Sequence, residues 1–383
     1  MEPDASSDTA SGRAVLPQTS RELKFRQLAG ELRHRILDNT YPPDSKLPTE
    51  EALSAETGMS LTTVRHAYQE LAVDGLVVRR QGAGTFVAPR GHRAATRQRV
   101  IGVLVPDTTL YYPRVLQGIE KALFQANARL VLSCSHYDPD AEDQAIGELL
   151  KAGVDGLLLV PSLHDLADPR ARVSDLRALP VPIVFVERRL ATLGPADSME
   201  HVCTDHEGGA YDAIRHLHDL GHREIGLALR SDAATSAPIR SGFESAIADL
   251  GLTLHAPQLN PMAAWNSRHA KETVERFRSE EITAALCFGD REASLVLGAV
   301  RRAGLTVPDD FAIIAYDNEF ADVAEVPMTA VSPPRYQLGE LAVQVLLRRL
   351  ELGDALPIHQ IHLRPRLVIR ASCGARPPTD HEA

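Results

Sequence analysis

The sequence predicts a mixed α/β protein: a small N-terminal helix-turn-helix with a β wing, then a much larger two-lobed part built on parallel sheets. Three observations carry this expectation. Beyond residue 100, apolar β-rich runs alternate with amphipathic helix-length segments, the pattern of parallel strands covered on both faces. Before residue 90, two short helical segments flank a glycine and are followed by two strand-like runs around a Gly-x-Gly loop. Charge is also segregated, since residues 21–99 carry 13 Lys and Arg against 9 acids while residues 100–383 carry 27 against 39, in a chain of net charge −10. A basic module on an acidic chain suits a nucleic-acid partner, because phosphates attract Lys and Arg regardless of base sequence.

The length of 383 residues predicts two or three domains. The division expected is a disordered tail at 1–20, a DNA-reading module at 21–88, a linker at 89–99, a two-lobed domain at 100–373 and a C-terminal tail at 374–383. No uncharged run approaches the roughly 18 residues of a bilayer span, which excludes a membrane protein. Residues 1–20 are rich in Ser, Asp and Ala without an apolar stretch, unlike a targeting segment. Cys134, Cys203, Cys287 and Cys373 lie far apart with no C-x-x-C, so the expectation is a reduced, cytoplasmic protein whose thiols behave as small core hydrophobes.

Each element of the module follows from local chemistry. Phe25, Leu28, Leu32 and Ile36 recur at helical spacing, leaving Arg26, Arg33 and Arg35 on the wet side. Tyr41-Pro42-Pro43 breaks that helix, and Leu47-Pro48 leads into Thr49, an N-cap for a second helix ending near Thr57. Gly58 turns the chain, and Ser60 caps a third helix from Leu61 to about Asp74. Val64, Ala67, Tyr68 and Leu71 form its apolar stripe, and Thr62, Arg65, His66 and Gln69 its outer face. A second helix with a donor-rich face can enter the major groove. Leu76–Arg80 and Thr85–Val87 make a wing around Gly82 and Gly84, with Arg79 and Arg80 placed for phosphate or the minor groove.

Lys46-Leu47-Pro48-Thr49-Glu50, Thr62-Thr63-Val64-Arg65, Asp74-Gly75-Leu76 and Gly82-x-Gly84-Thr85-Phe86-Val87 resemble the GntR-family winged helix over residues 23–88. The resemblance implies DNA contact from Lys46, Thr49, Ser60, Thr62, Thr63, Arg65, His66, Arg79, Arg80, Gly82 and Gly84. Where that family often carries DNA-touching arginines, this chain has Glu51 and Leu61, so Thr62, Arg65, His66 and the wing carry more of the contact.

In the large domain, strands are expected at Val100–Val105, Arg129–Ser133, Gly156–Val160, Ile183–Val186, Glu224–Leu229, Ala284–Phe288 and Phe311–Ala315. Ligands of such sheets sit beyond the carboxyl ends of the strands. The loops there hold Tyr111, Tyr112, Glu187, Arg188, Asp290 and Asp317. Carboxylates, arginines and an aromatic plate such as Trp265 match the needs of a sugar-like ligand. Thr204-Asp205-His206-Glu207-Gly208-Gly209-Ala210, Arg240-Ser241-Gly242-Phe243 and Tyr316-Asp317-Asn318 are similar to LacI-type sensor domains, related to periplasmic sugar-binding proteins, over residues 99–373. That resemblance implies an effector cleft lined by Arg240, Asp317, Glu187 and Trp265. Its usual Asn-Asp is Gly289-Asp290 here, one amide contact fewer.

His216, His218 and His222 do not share a helix face, since positions two apart diverge by about 200°, so no metal site is expected, nor any cofactor. The function expected is a ligand-responsive transcription regulator, a repressor. It would act as a homodimer on double-stranded operator DNA and respond to a sugar. The alternatives are a nucleoside or sugar-phosphate effector, or an enzymatic domain behind the reader. The five lysines, Lys24, Lys46, Lys121, Lys151 and Lys271, show no recognisable cofactor-lysine setting.

Overall fold

The computed structural model describes residues 20–37, 40–80, 82–88, 98–163, 166–189 and 197–375. The expected N-terminal tail up to residue 19, most of the linker, Gln81 at the wing tip and the C-terminal tail beyond residue 375 lie outside the described residues, as does the side chain of Arg26. Two compact units form: one runs to Gln98 and takes in Glu351–Leu356, and the other holds Arg99–Leu350 and the chain from Pro357.

The smaller unit holds α1 (Ser20–Leu37), α2 (Glu50–Thr57), α3 (Leu61–Val73), β1 (Val77–Arg80) and β2 (Gly84–Val87). The expected helical stripes close on each other: Leu28 and Leu32 of α1 and Leu53 of α2 pack with Val64, Ala67, Tyr68 and Leu71 of α3. Burying such aliphatic side chains contributes about 1.5–3 kcal/mol each. The wing is an antiparallel pair with Val77 opposite Val87 and Arg80 opposite Gly84. One expectation changes: Arg33 is not on a wet face but sits mostly covered, paired with Asp74 and Glu70.

The larger unit is two lobes. Lobe 1 contains β3 (Val100–Val105), α4 (Tyr112–Gln125), β4 (Arg129–Cys134), α5 (Pro139–Lys151), β5 (Gly156–Leu159), α6 (Pro169–Arg177), β6 (Ile183–Val186) and β7 (His201–Thr204). Lobe 2 contains α7 (His206–Asp219), β8 (Ile225–Arg230), α8 (Ser236–Asp249), β9 (Gln258–Asn260), α9 (Ser267–Ser279), β10 (Ala284–Cys287), α10 (Asp290–Arg302), β11 (Ala312–Tyr316) and β12 (Thr329–Ser332). The chain then returns to lobe 1 through α11 (Arg335–Leu352) and β13 (Gln360–Leu363), and ends in lobe 2 with β14 (Arg366–Val368). Each sheet has six strands, ordered β13-β7-β6-β5-β3-β4 and β14-β12-β11-β10-β8-β9. All pairings are parallel except β12 with β14.

The seven apolar runs all form strands, with ends shifted by a residue or so. Five strands were not expected: β7, β9, β12, β13 and β14. They are three or four residues long and, in β13, alternate exposed with half-buried positions, too little for an apolar run to register.

Three connections cross between the lobes: at Asp205, at Pro333-Pro334, and at Arg364-Pro365. Arg364 ties two of them, donating from Nη1 to Asp205 Oδ2 at 2.7 Å and from Nε to Asp212 Oδ2 at 2.9 Å. In lobe 1 the α4 and α11 backbones touch through facing glycines. A Cβ on Gly118 would stand 2.0 Å from the Tyr336 carbonyl oxygen, and one on Gly339 2.1 Å from that of Val115.

Gly118→Ala should therefore lower stability by about 3 kcal/mol, as overpacking against backbone does. Gly147→Ala, in α5 with nothing within 4 Å of the added carbon, should raise it by about 0.5–1 kcal/mol. Urea denaturation midpoints of the two variants, moving in opposite directions, check the packing.

Candidate functional site

Most of the residues singled out from sequence fall in two regions. The first is the exposed face of the smaller unit. Thr49 caps α2, its Oγ1 accepting the Ala52 amide at 3.1 Å, and Ser60 caps α3, its Oγ accepting the Thr63 amide at 3.2 Å. Gly58, at φ +67°, makes the turn between them. The buried Tyr68 fixes α3 by donating its hydroxyl to the Pro48 carbonyl at 2.7 Å. With that face held inward, Arg65 and His66 are exposed and Thr62 is half-buried. His66 rests edge-on against Phe25, ring centroids 5.7 Å apart. Thr63, expected among the DNA contacts, is buried, its Oγ1 2.8 Å from Ser60 Oγ. It lies one turn before the buried Ala67, so its hydroxyl serves the helix start.

The wing meets this face. Gly82 and Gly84 hold φ of +75° and +116°, where a Cβ is disfavoured, and a Cβ on Gly84 would also press on Lys46 at 2.9 Å. The Arg80 guanidinium lies 4.6 Å from the centroid of the Phe86 ring, with Lys46 Nζ at 6.0 Å. Arg65 and Arg79 both reach Glu50, at 3.0 and 2.9 Å, and Arg80 pairs with Asp44 at 3.3 Å.

The second place is a cavity of about 370 Å³ between the two lobes. Leu163, Glu187, Arg188, Arg189, Cys203, Thr204 and His362 line it from lobe 1, and His206, Glu207, Ala234, Thr235, Ala237 and Pro238 from lobe 2, with Asp205 at a crossing. Glu187 follows β6 at φ +58° and Asp317 follows β11 at φ +79°. Side-chain-bearing residues occupy that region at a cost of about 1–3 kcal/mol each, a strain that clusters at functional sites.

Glu187 is 5 % exposed, and both its oxygens are engaged. Oε1 accepts from Tyr111 Oη at 2.6 Å and stands 2.9 Å from His206 Nε2. Oε2 accepts the Thr204 amide at 3.1 Å and hydroxyl at 3.0 Å. Burial alone pushes its carboxyl up, but His206, Tyr111 and Arg188 together bring it down to about 2. The other His206 nitrogen, Nδ1, lies 3.0 Å from Tyr316 Oη. Arg188 donates to the Tyr112 hydroxyl at 3.2 Å and to the Glu187 carbonyl at 2.8 Å, and the Tyr111 and Tyr112 rings meet edge-on at 5.4 Å.

Asp317 belongs to an acidic group with Asp290, Glu292 and Glu319, answered by Arg335. Arg335 is 7 % exposed, ion-paired with Glu319, and stacked over Tyr111 at 5.5 Å. Burial raises the Asp317 carboxyl to about 7, with Arg335 opposing and Asp290 and Glu187 adding to the rise. Asp290 is buried, and its Oδ2 accepts the Glu319 and Phe320 amides at 2.5 and 2.8 Å, so it shapes the loop after β11. Its Oδ1 and the Nε of Arg335 have no hydrogen-bond partner among the described residues.

Of the eight expected cleft residues only Glu187 and Arg188 line the cavity; Tyr111 and Tyr112 stand behind them as hydrogen-bond partners, Asp290 and Asp317 lie off its wall, and two more stand elsewhere. Arg240 is not on the cavity wall: it is one helical step past the buried Ile239 of α8, exposed, and paired with Glu244 at 2.6 Å. Trp265 is no open plate, being fully buried in the lobe 2 core with Nε1 donating to the Leu229 carbonyl at 3.2 Å. Conversely, His206, Thr204, Tyr316, Arg335, Arg189 and His362 were not foreseen as site residues. Thr204 and His206 stood in the quoted Thr204–Ala210 string and Tyr316 in the Tyr316-Asp317-Asn318 string, the available signals; Arg335, Arg189 and His362 had none. Cys203, Cys287 and Cys373 are buried and Cys134 is half-buried, all of them free thiols, with Cys203 also bordering the cavity. His216, His218 and His222 have separate neighbours, Cys373, Asp219 and Thr283. Among the described residues, no three His, Cys, Asp or Glu side chains are grouped to hold a metal ion.

Both units resemble known families over part of their length. Residues 24–87 match the family of bacterial regulatory proteins called gntR, and residues 214–373 match the periplasmic binding protein-like domain. An arabinose metabolism transcriptional repressor of Geobacillus stearothermophilus is 29% identical over 357 residues, covering 91% of this chain and 97% of that one. A transcriptional repressor of Photobacterium profundum, PurR, is 30% identical over 72% of this chain and 81% of its own. The solved complex of the transcriptional regulator CelR with cellobiose superposes with a TM-score of 0.61 at 22% identity, over 85% of this chain and all of that one. These relatives are regulators, which sets aside an enzymatic domain behind the reader. The chain belongs to the transcriptional regulators that join a GntR-type winged helix-turn-helix to a LacI-type, periplasmic-binding-protein-like domain.

Proposed function

We propose that this regulator is a repressor whose grip on operator DNA is set by a sugar or sugar-like effector held between the two lobes. The observation that carries the reading is the position of the cavity: its walls come from both lobes and from a chain crossing, so whatever fills it biases the angle between lobes. In the reader, α3 would present Thr62, Arg65 and His66 to base edges in the major groove. Lys46, Arg79, Arg80 and the close backbone at Gly82 and Gly84 would meet the phosphates, with the capped helix starts at Thr49 and Ser60 beside them. In the cleft, the Glu187-Arg188 corner and Arg189 would meet the ligand's hydroxyls, Tyr111 and Tyr112 back that corner, and the Asp317 carboxyl behind it would be a further acceptor once the lobes move. The arabinose repressor likeness favours a sugar. Arg188 and Arg189 on the cavity wall favour a phosphorylated sugar as second choice.

Regulation follows from linkage. If the effector prefers one lobe angle and the operator another, each must weaken the other by the same factor, and a coupling of about 1–3 kcal/mol suffices for control. A two-fold operator calls for a homodimer. Phe124 of α4 and Leu130 and Leu132 of the edge strand β4 are exposed and would form part of the contact. No described helix is long and apolar enough to cross a membrane, and a DNA-reading repressor would work in the cytoplasm.

Operator affinity, followed by fluorescence anisotropy, should fall steeply with salt, and Arg79→Ala should reduce the slope of log K against log[salt] by about 1. A thermal-shift screen of mono- and oligosaccharides and sugar phosphates should find a stabilising compound; an equal response of Asp317→Asn to that compound would remove Asp317 from the site. The pH dependence has a defined sign. Because folding raises the Asp317 pKa, the folded chain keeps a proton that the unfolded chain loses above about pH 4. Its stabilising contribution is present below that pH and is lost as pH climbs toward 7, so the melting temperature of the wild type relative to Asp317→Asn should decline across this window. Phe124→Glu should shift sedimentation toward monomer.

A further inference from the structure

The face that would read DNA carries its own counter-ion. Glu50 is the first residue of α2, directly after the Thr49 cap, and its two carboxylate oxygens serve two different elements: Oε2 takes Arg65 Nε of α3 at 3.0 Å, and Oε1 takes Arg79 Nη2 of the wing at 2.9 Å. The carboxylate is more covered than its partners, with a side chain 22 % exposed against 57 % and 49 % for the arginines. Arg80, the next wing arginine, is held in the same manner by Asp44 at 3.3 Å while stacking on Phe86.

Exposed ion pairs add little to stability, so the fold does not need this bridge. Its effect falls on the arginines. Each is fixed at a point set by α2, and the helix and the wing are registered to each other through one carboxylate. Any phosphate that takes Arg65 or Arg79 must draw it from Glu50 or accept the nearby negative charge. Random DNA meets that penalty without compensation. An operator whose guanine edges and phosphates lie where the bridged arginines already stand meets it with bidentate contacts that the fixed geometry favours.

We propose that Glu50 is a positioning residue for DNA specificity: by bridging Arg65 and Arg79 it suppresses binding to unrelated DNA more than binding to the operator. The inference rests on the reading that this face binds DNA, and goes beyond it in assigning the ratio of the two affinities to an acid on α2.

Full-length chain is titrated by fluorescence anisotropy against two duplexes, one recovered by the wild type from a randomised pool and one with the same bases shuffled, at several salt concentrations. Glu50→Gln, which keeps the shape and removes the charge, should bind the shuffled duplex about 10-fold more tightly and with a salt slope steeper by about 1, as a freed cation neutralising one more phosphate requires. Its affinity for the selected duplex should change by less than about 3-fold, so that the ratio collapses. Glu50→Gln combined with Arg65→Ala should show a smaller gain than Glu50→Gln alone, because one partner is already absent. A ratio and slope unchanged in Glu50→Gln, beside a wild type that discriminates between the duplexes, overturns this inference and leaves the DNA-reading assignment standing. Equal weakening on both duplexes likewise overturns it, as the mark of a purely structural role. A wild type that shows neither discrimination nor salt dependence, with Arg65→Ala silent, overturns the DNA-reading assignment and this inference with it.

Discussion

A carboxylate taken out of water must be answered by hydrogen bonds or opposite charge, and Glu187 is answered from both lobes at once. Tyr111 and Thr204 reach it from lobe 1, His206 from lobe 2, and His206 is itself held by Tyr316 at the end of β11. No lobe can leave without abandoning part of that charge. The strand ends, the left-handed backbone at Glu187 and the short step from β7 into α7 all serve to bring these groups to one point. The cavity beside them exists because the lobes meet through a few polar contacts rather than a continuous core.

That arrangement explains how a small molecule could matter to a large protein. The two cores are separate, each sheet being covered by its own helices, so opening or closing requires no repacking. What changes is confined to the three crossings and the polar bridge. A junction confined to polar contacts and chain crossings is the kind of element through which linkage between distant ligands is carried. The reader carries a parallel device, with Arg65 and Arg79 joined through Glu50.

Much of the fold was legible in sequence because its signals are collective. Strands buried on both faces read as unbroken apolar runs, and β3, β5, β6, β10 and β11 stand where those runs predicted. The winged module was legible through caps and glycines whose geometry leaves few alternatives: Thr49, Gly58, Ser60, Gly82 and Gly84 do what their chemistry suggested. Side-chain direction was less accessible. Arg240 belongs to a recognisable string, yet a string does not fix rotation, and one residue on a helix is about 100°. Trp265 sits among polar neighbours because Asn266 caps α9, while the ring turns the other way into the core. The key partners of Glu187 and Asp317, namely His206 and Arg335, are distant in sequence and become neighbours only when short strands of three or four residues bring the chain back across the cleft.

The facing glycines of α4 and α11 add a mechanical consequence. Where backbone lies on backbone, no flexible side chain is left to act as a cushion. Helix α11 begins just after the Pro333-Pro334 crossing, with Arg335 over Tyr111, and α4 begins at Tyr112 beside the Glu187 corner. A twist delivered at that proline pair would have no slack to be lost in: the two helices would turn as one lever, carrying with them the tyrosines that stand behind Glu187 and Arg188.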